Sequence, residues 1–134
     1  MYSKKVMKHF LHPKNIGEIK NPDGESEIVN PVCGDKLWLF IKIGKKKVRG
    51  KEVEYIKEIK YKTLGCAAAI ATSSMLSEIV KGKSIDEALK IKARDVVKKL
   101  GGLPKHKVHC SLLGINGLRK AIEDYKRKKI KDGG

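Results

Sequence analysis

From Lys36 to Ile43 apolar and other residues alternate: Leu37, Leu39, Ile41 and Ile43 fall on one side, Lys36, Trp38, Phe40 and Lys42 on the other. A period of two predicts a β-strand with one buried face. Tyr55 to Leu64 reads as a further strand, with Gly44 and Lys45-Lys46-Lys47 as the turn between them and a short strand at Ile28-Val29 before them. After Gly65 the period lengthens. Ala68, Ala71 or Thr72, Met75, Leu76, Ile79 and Val80 follow helical spacing, which Gly82 ends. Ser84-Ile85-Asp86-Glu87 is a capping box opening a short helix through Ile91. Ala93, Val96, Val97 and Leu100 mark another helix, stopped by Gly101-Gly102. A last helix begins near Cys110 or Ser111 and turns Ile115, Leu118, Ala121, Ile122 and Tyr125 inward. At the start of the chain, Ser3 can cap a helix with Val6, Met7, Phe10 and Leu11 on one face, followed by the turn-rich loop His12 to Gly17. The succession predicts an α+β domain, a three-stranded antiparallel sheet with helices packed on one face.

A length of 134 residues suits a single domain whose core needs no disulfide staples, with residues 126–134 expected as a frayed, solvated basic tail. The apolar runs are too short to span a bilayer. The N-terminus lacks the apolar stretch of a signal peptide and the cysteines number three, so a reducing cytoplasm is the expected location. Charge is the one oddity: 31 Lys+Arg against 15 Asp+Glu give +16. The lysines are scattered, aromatic residues make up only 5% and no RNA-recognition signature surrounds Trp38, Phe40 or Tyr61, which argues against nucleic acid as the partner. An acidic protein or an acidic chelate suits the same charge.

The cysteines carry the candidate chemistry. Each stands at an element boundary: Cys33 in Pro31-Val32-Cys33-Gly34-Asp35, Cys66 after Thr63-Leu64-Gly65, and Cys110 after Val108-His109. Boundaries can present a side chain at the surface, and a helix N-terminus near Cys66 and Cys110 favours thiolate, the form that soft metals require. A lone cysteine can equally be a small buried hydrophobe, and no C-x-x-C pair marks a zinc ribbon or a thioredoxin motif. Asp35 or His109 can supply a fourth ligand, although by itself the first reads as a turn residue and the second as a surface residue.

Taken in order, His12-Pro13-Lys14-Asn15-Ile16-Gly17, Pro31 to Asp35, Tyr61 to Ala71, Lys81 to Ala88 and His109-Cys110-Ser111 resemble the IscU scaffolds and the N-terminal domain of NifU across nearly the whole chain. The resemblance implies a non-enzymatic scaffold for iron–sulfur cluster assembly. Sulfur would come from a cysteine desulfurase of the IscS/NifS type and be combined with ferrous iron. Electrons would come from a ferredoxin, and a [2Fe–2S] cluster would pass to acceptor apoproteins. It further implies Cys33, Asp35, Cys66, His109 and Cys110 as the metal-site residues, Cys110 as first sulfur acceptor, and Zn²⁺ held by a subset of them when no cluster is present. Homo-oligomerisation is left open. One segment departs from the family: its chaperone-recognition stretch Leu-Pro-Pro-Val-Lys reads Leu103-Pro104-Lys105-His106-Lys107, which weakens the expectation of docking to a DnaK-type chaperone. His106 reads as a solvated loop residue.

Overall fold

The structure, a computed structural model, describes residues 2–32 and 34–133, with the backbone alone at 132 and 133. Helix α1 (Lys4–Leu11) precedes strands β1 (Gly24–Val29), β2 (Lys36–Val48) and β3 (Lys51–Leu64). Then follow α2 (Ala67–Val80), α3 (Ile85–Leu89), α4 (Ala93–Lys99), a 3-10 helix (Lys105–Cys110) and α5 (Ser111–Gly133). The strands form an antiparallel meander in the order β1-β2-β3, as the alternation predicts. Leu37, Leu39 and Ile41 of β2 and Ile56, Ile59 and Tyr61 of β3 are buried against the helices, with Leu118, Ala121 and Ile122 of α5 in the same core. Trp38 and Phe40 lie on the opposite face, half-buried. Helix α5 lies so close to β1 that a Cβ at Gly24 would meet the Ala121 carbonyl.

The β2–β3 hairpin is longer than expected. Gly44 is not a turn residue but pairs across the strands with Tyr55, and a Cβ there would come within 2.7 Å of the Tyr55 ring. The ring covers the backbone that a glycine leaves bare, so the strand runs through the lysines to Val48. Arg49 (φ 52°) and Gly50 (φ 79°) then make the two-residue turn, whose left-handed backbone matches the strand twist. The lysine run is partnered within the hairpin: Lys46 lies 4.8 Å from the Tyr55 ring centroid and Lys45 lies 3.8 Å from Glu52.

Ser3 caps α1, accepting from the Val6 amide at 3.1 Å, but the inward face differs from the expected one. Val6 and His9 are buried, whereas Met7 is 37% and Leu11 61% exposed. The cause lies in the facing helix. Nearly every side of α2 is enclosed, including Ser73, Ser74 and Ser77, so a polar group on the helix docked there can pair with a buried serine. His9 Nδ1 lies 2.7 Å from Ser74 Oγ and supplies it. The His12–Gly17 loop is strapped down beside this contact, Asn15 Nδ2 donating to Ser77 Oγ and the Gly17 amide to the Tyr61 carbonyl. Beyond Tyr125, where the sequence suggests a frayed tail, α5 continues to Gly133, with the side chains from Lys126 to Lys131 exposed. Lys128 and Arg127 reach back to Asp124.

Burial lowers the pKa of His9 below its ordinary 6.5, outweighing the attraction of Glu78, while Lys8 and Lys14 push the same way as burial. A folded-state pKa below the unfolded value means stability that is complete above about pH 6.5 and is lost as the pH falls below it. Thermal unfolding should therefore start earlier at pH 5 than at pH 7.5, each ~1 kcal/mol lost lowering the midpoint by roughly 4 °C in a chain of this size. His9→Gln, which keeps a polar group for Ser74 without titrating, should flatten that dependence in a melting series.

Candidate metal centre

The centre forms at the end of the sheet remote from the Arg49-Gly50 turn. Lys36 pairs with Leu64 in the last rung, and Thr63 Oγ1 donates to the Lys36 carbonyl at 2.8 Å, fastening the two strand ends. Asp35 therefore enters β2 where Gly65 and Cys66 leave β3. The turn ahead of Asp35 is closed by main-chain bonds, the Asn30 amide to the Asp35 carbonyl and the Gly34 amide to the Asn30 carbonyl, both 2.8 Å. Gly34 has a φ of 77°, a conformation that glycine adopts without cost. Cys33 lies outside the described residues.

Cys66 is the N-cap of α2 with extended backbone, and its side chain makes no capping bond. The thiol faces outward across the site: Sγ lies 3.7 Å from Asp35 Oδ2 and 3.6 Å from Cys110 Sγ. Cys110 closes the 3-10 helix and is buried, 2% exposed, its carbonyl accepting from Thr72 Oγ1 of α2 at 3.4 Å. One ligand atom each from Asp35, Cys66 and Cys110 lies within 4.8 Å of the others. A sulfur–sulfur distance of 3.6 Å excludes a disulfide. The two separations from Cys66 suit tetrahedral coordination instead: two thiolates ~2.3 Å from one metal stand roughly 3.8 Å apart, and a thiolate and a carboxylate oxygen roughly 3.6 Å apart. The donor set fits a metal that accepts both sulfur and oxygen.

Of the residues named from sequence, Asp35, Cys66 and Cys110 converge. His109 adjoins them through Cys110, its Nε2 3.7 Å from that Sγ, but it stands outside the mutually close group. His106 is exposed. The thiolate expectation changes at Cys110, whose thiol is pushed up to about 12, first by burial and then by the adjoining Cys66 and by Asp35, with Lys107 opposing. Loss of water dominates at this position, so a metal bound there would displace a proton. The charge of Lys107 was not foreseen as an influence on the site. Its ammonium is held above the ordinary lysine range chiefly by Cys66, with smaller contributions from Tyr2, Cys110 and Asp35. Its signal lay in the spacing: residues three apart eclipse in a 3-10 helix, so Lys107 shares a side with Cys110.

The fold and this cluster define a small α+β domain with a thiol–carboxylate group at the rim of its sheet that could hold a metal ion. The chain belongs to the NifU-like N-terminal domain family, whose profile matches residues 1–132, as the resemblance implied. An iron–sulfur cluster assembly scaffold protein IscU of Archaeoglobus fulgidus is 52% identical over 128 residues, covering 96% of this chain and 78% of that one. The IscU scaffold of Aquifex aeolicus is 43% identical over 127 residues, covering 95% and 77%. Among solved structures, a putative iron–sulfur cluster assembly scaffold protein for the SUF system from Fervidobacterium islandicum superimposes with a TM-score of 0.68 at 25% identity, covering 90% of this chain and 96% of its own. No helix among the described residues is long and apolar enough to cross a membrane.

Proposed function

We propose that this protein is a cytoplasmic scaffold on which an iron–sulfur cluster is built and from which it is handed on. The observation that carries the reading is the convergence of Cys66, Cys110 and Asp35 within 4.8 Å at the rim of the sheet, with Cys66 at tetrahedral spacing from both others, in a chain whose relatives are named as such scaffolds. Cys33, Cys66 and Cys110 serve as the thiolate ligands, with Asp35 or His109 as the fourth. A pyridoxal-phosphate cysteine desulfurase passes sulfane sulfur to Cys110 as a persulfide. Two electrons per sulfur, one from a ferredoxin and one from a ferrous ion that becomes ferric, reduce it to sulfide and regenerate the thiolate. The ferric iron and sulfide then form the [2Fe–2S] cargo, and Zn²⁺ takes a subset of the same ligands when cargo is absent. The protein contributes ligands and their placement, while the desulfurase cleaves the C–S bond.

The donor set also explains release. Thiolates bind soft iron firmly, whereas a carboxylate is a harder ligand that iron–sulfide centres favour less, so a mixed site holds its cargo less tightly than four cysteines do. Reconstituted protein mixed with an apo-ferredoxin should lose its visible absorbance as the ferredoxin gains its own spectrum. Cargo that never leaves would overturn the reading.

Recognition by a DnaK-type chaperone should be weak. Lys105 and His106 are exposed where the family's stretch carries Pro and Val, and Leu103 packs against the core. A Leu103–Lys107 peptide should bind such a chaperone about tenfold more weakly than Leu-Pro-Pro-Val-Lys, a difference of ~1.4 kcal/mol. Fluorescence polarisation with both peptides measures it.

A further inference from the structure

We infer that Gly65 is the positioning residue for the Asp35 carboxylate: the missing side chain at this position opens the space through which Asp35 reaches the metal centre. The register supplies the first argument. Lys36 pairs with Leu64, so the next rung outward sets Asp35 opposite Gly65. Directly opposed residues of an antiparallel pair project to the same face about 5 Å apart, and any side chain at 65 would compete with Asp35 for one volume. The contacts supply the second. A Cβ on Gly65 would stand 2.9 Å from the Ala69 Cβ, closer than packed atoms tolerate, and 3.0 Å from both Cγ and Oδ2 of Asp35, tight enough that the carboxylate must give way by a few tenths of an ångström. The oxygen crowded by that Cβ, Oδ2, is the one 3.7 Å from Cys66 Sγ. Gly65 has no left-handed backbone that would demand glycine on its own account, so space, not backbone conformation, selects the residue. With alanine there, the carboxylate is displaced from its place beside Cys66 while both cysteines keep theirs.

This rests on the reading of Asp35 as a ligand, and one set of Zn²⁺ and Co²⁺ titrations separates the two ideas. Asp35→Ala alone should weaken Zn²⁺ binding about tenfold and alter the Co²⁺ ligand-field bands while sparing the sulfur-to-metal charge-transfer band. Gly65→Ala should reproduce both changes. In the Asp35→Ala background, adding Gly65→Ala should cost less than twofold, because the atoms it would strike are gone. Ala69→Gly is added to all four proteins in a parallel cycle, so that crowding against α2 is removed as a cause and a poorly folded Gly65→Ala remains readable. If Asp35→Ala leaves Zn²⁺ affinity unchanged, the ligand reading fails. If Asp35→Ala weakens binding but Gly65→Ala weakens it equally with and without Asp35, in both cycles, Gly65 does not act through the carboxylate.

Discussion

Cys66→Ser or Cys110→Ser should abolish cluster retention and weaken Zn²⁺ binding by more than about a hundredfold, with the circular dichroism of the fold preserved. A hundredfold is roughly 2.7 kcal/mol, and loss of a group that merely supports a ligand already costs about ten- to a hundredfold in affinity. The two positions differ in what else they hold. Cys66 is half-buried and its side chain caps nothing, so its replacement should leave thermal stability within about 0.5 kcal/mol. Cys110 is buried at the junction of the 3-10 helix and α5, and serine there exchanges a soft thiol for a hydroxyl that needs a partner, at a cost of about 1 kcal/mol. Cys33→Ser should match Cys66→Ser in cluster loss. Anaerobic reconstitution followed by gel filtration and iron analysis measures all three, and a variant that keeps a cluster of unchanged spectrum and lifetime removes that cysteine from the ligand set.

Asp35→Cys should move persistence and function in opposite directions. A fourth soft ligand makes the centre resemble a ferredoxin site, so decay in air should slow by at least about tenfold, or ~1.4 kcal/mol, and transfer to an apo-ferredoxin should slow with it. The turn should survive the change. Its closing bonds are main-chain ones around Asn30, Gly34 and Asp35, and the contact described for the Asp35 side chain itself is with Cys66. Faster decay with undiminished transfer would make Asp35 a turn residue only.

Periodicity made most of the fold legible before any coordinates. The alternation around Leu37, Leu39 and Ile41 and the helical spacing from Ile115 to Tyr125 both describe faces that bury apolar groups, and both reappear in the core. What sequence obscured were positions where a neighbour overrides the local signal. Gly44 followed by three lysines looks like a turn until the Tyr55 ring is seen to cover it. Met7 and Leu11 are better hydrophobes than His9, yet the serines of α2 draw the histidine inward. In the site, boundary positions pointed to the cysteines, and Cys66 and Cys110 do lie where an element starts or stops, whereas Asp35 entered only as a possible fourth ligand beside Cys33. The proton on Cys110 was not legible, since the helix-end argument says nothing of how deeply a thiol is buried. Lys107 was hidden because it stands in the stretch around His106 that reads as a loop, whereas Lys105–Cys110 is a 3-10 helix.

The most direct measurement is iron, zinc and acid-labile sulfide analysis of protein purified without oxygen, with a visible spectrum of the same sample. A scaffold should carry, or accept on reconstitution, iron and sulfide in equal amounts with the absorption of a [2Fe–2S] centre, and should exchange any zinc for it. Zinc that stays bound, no sulfide under any reconstitution, and unfolding on chelation would show a structural metal site instead.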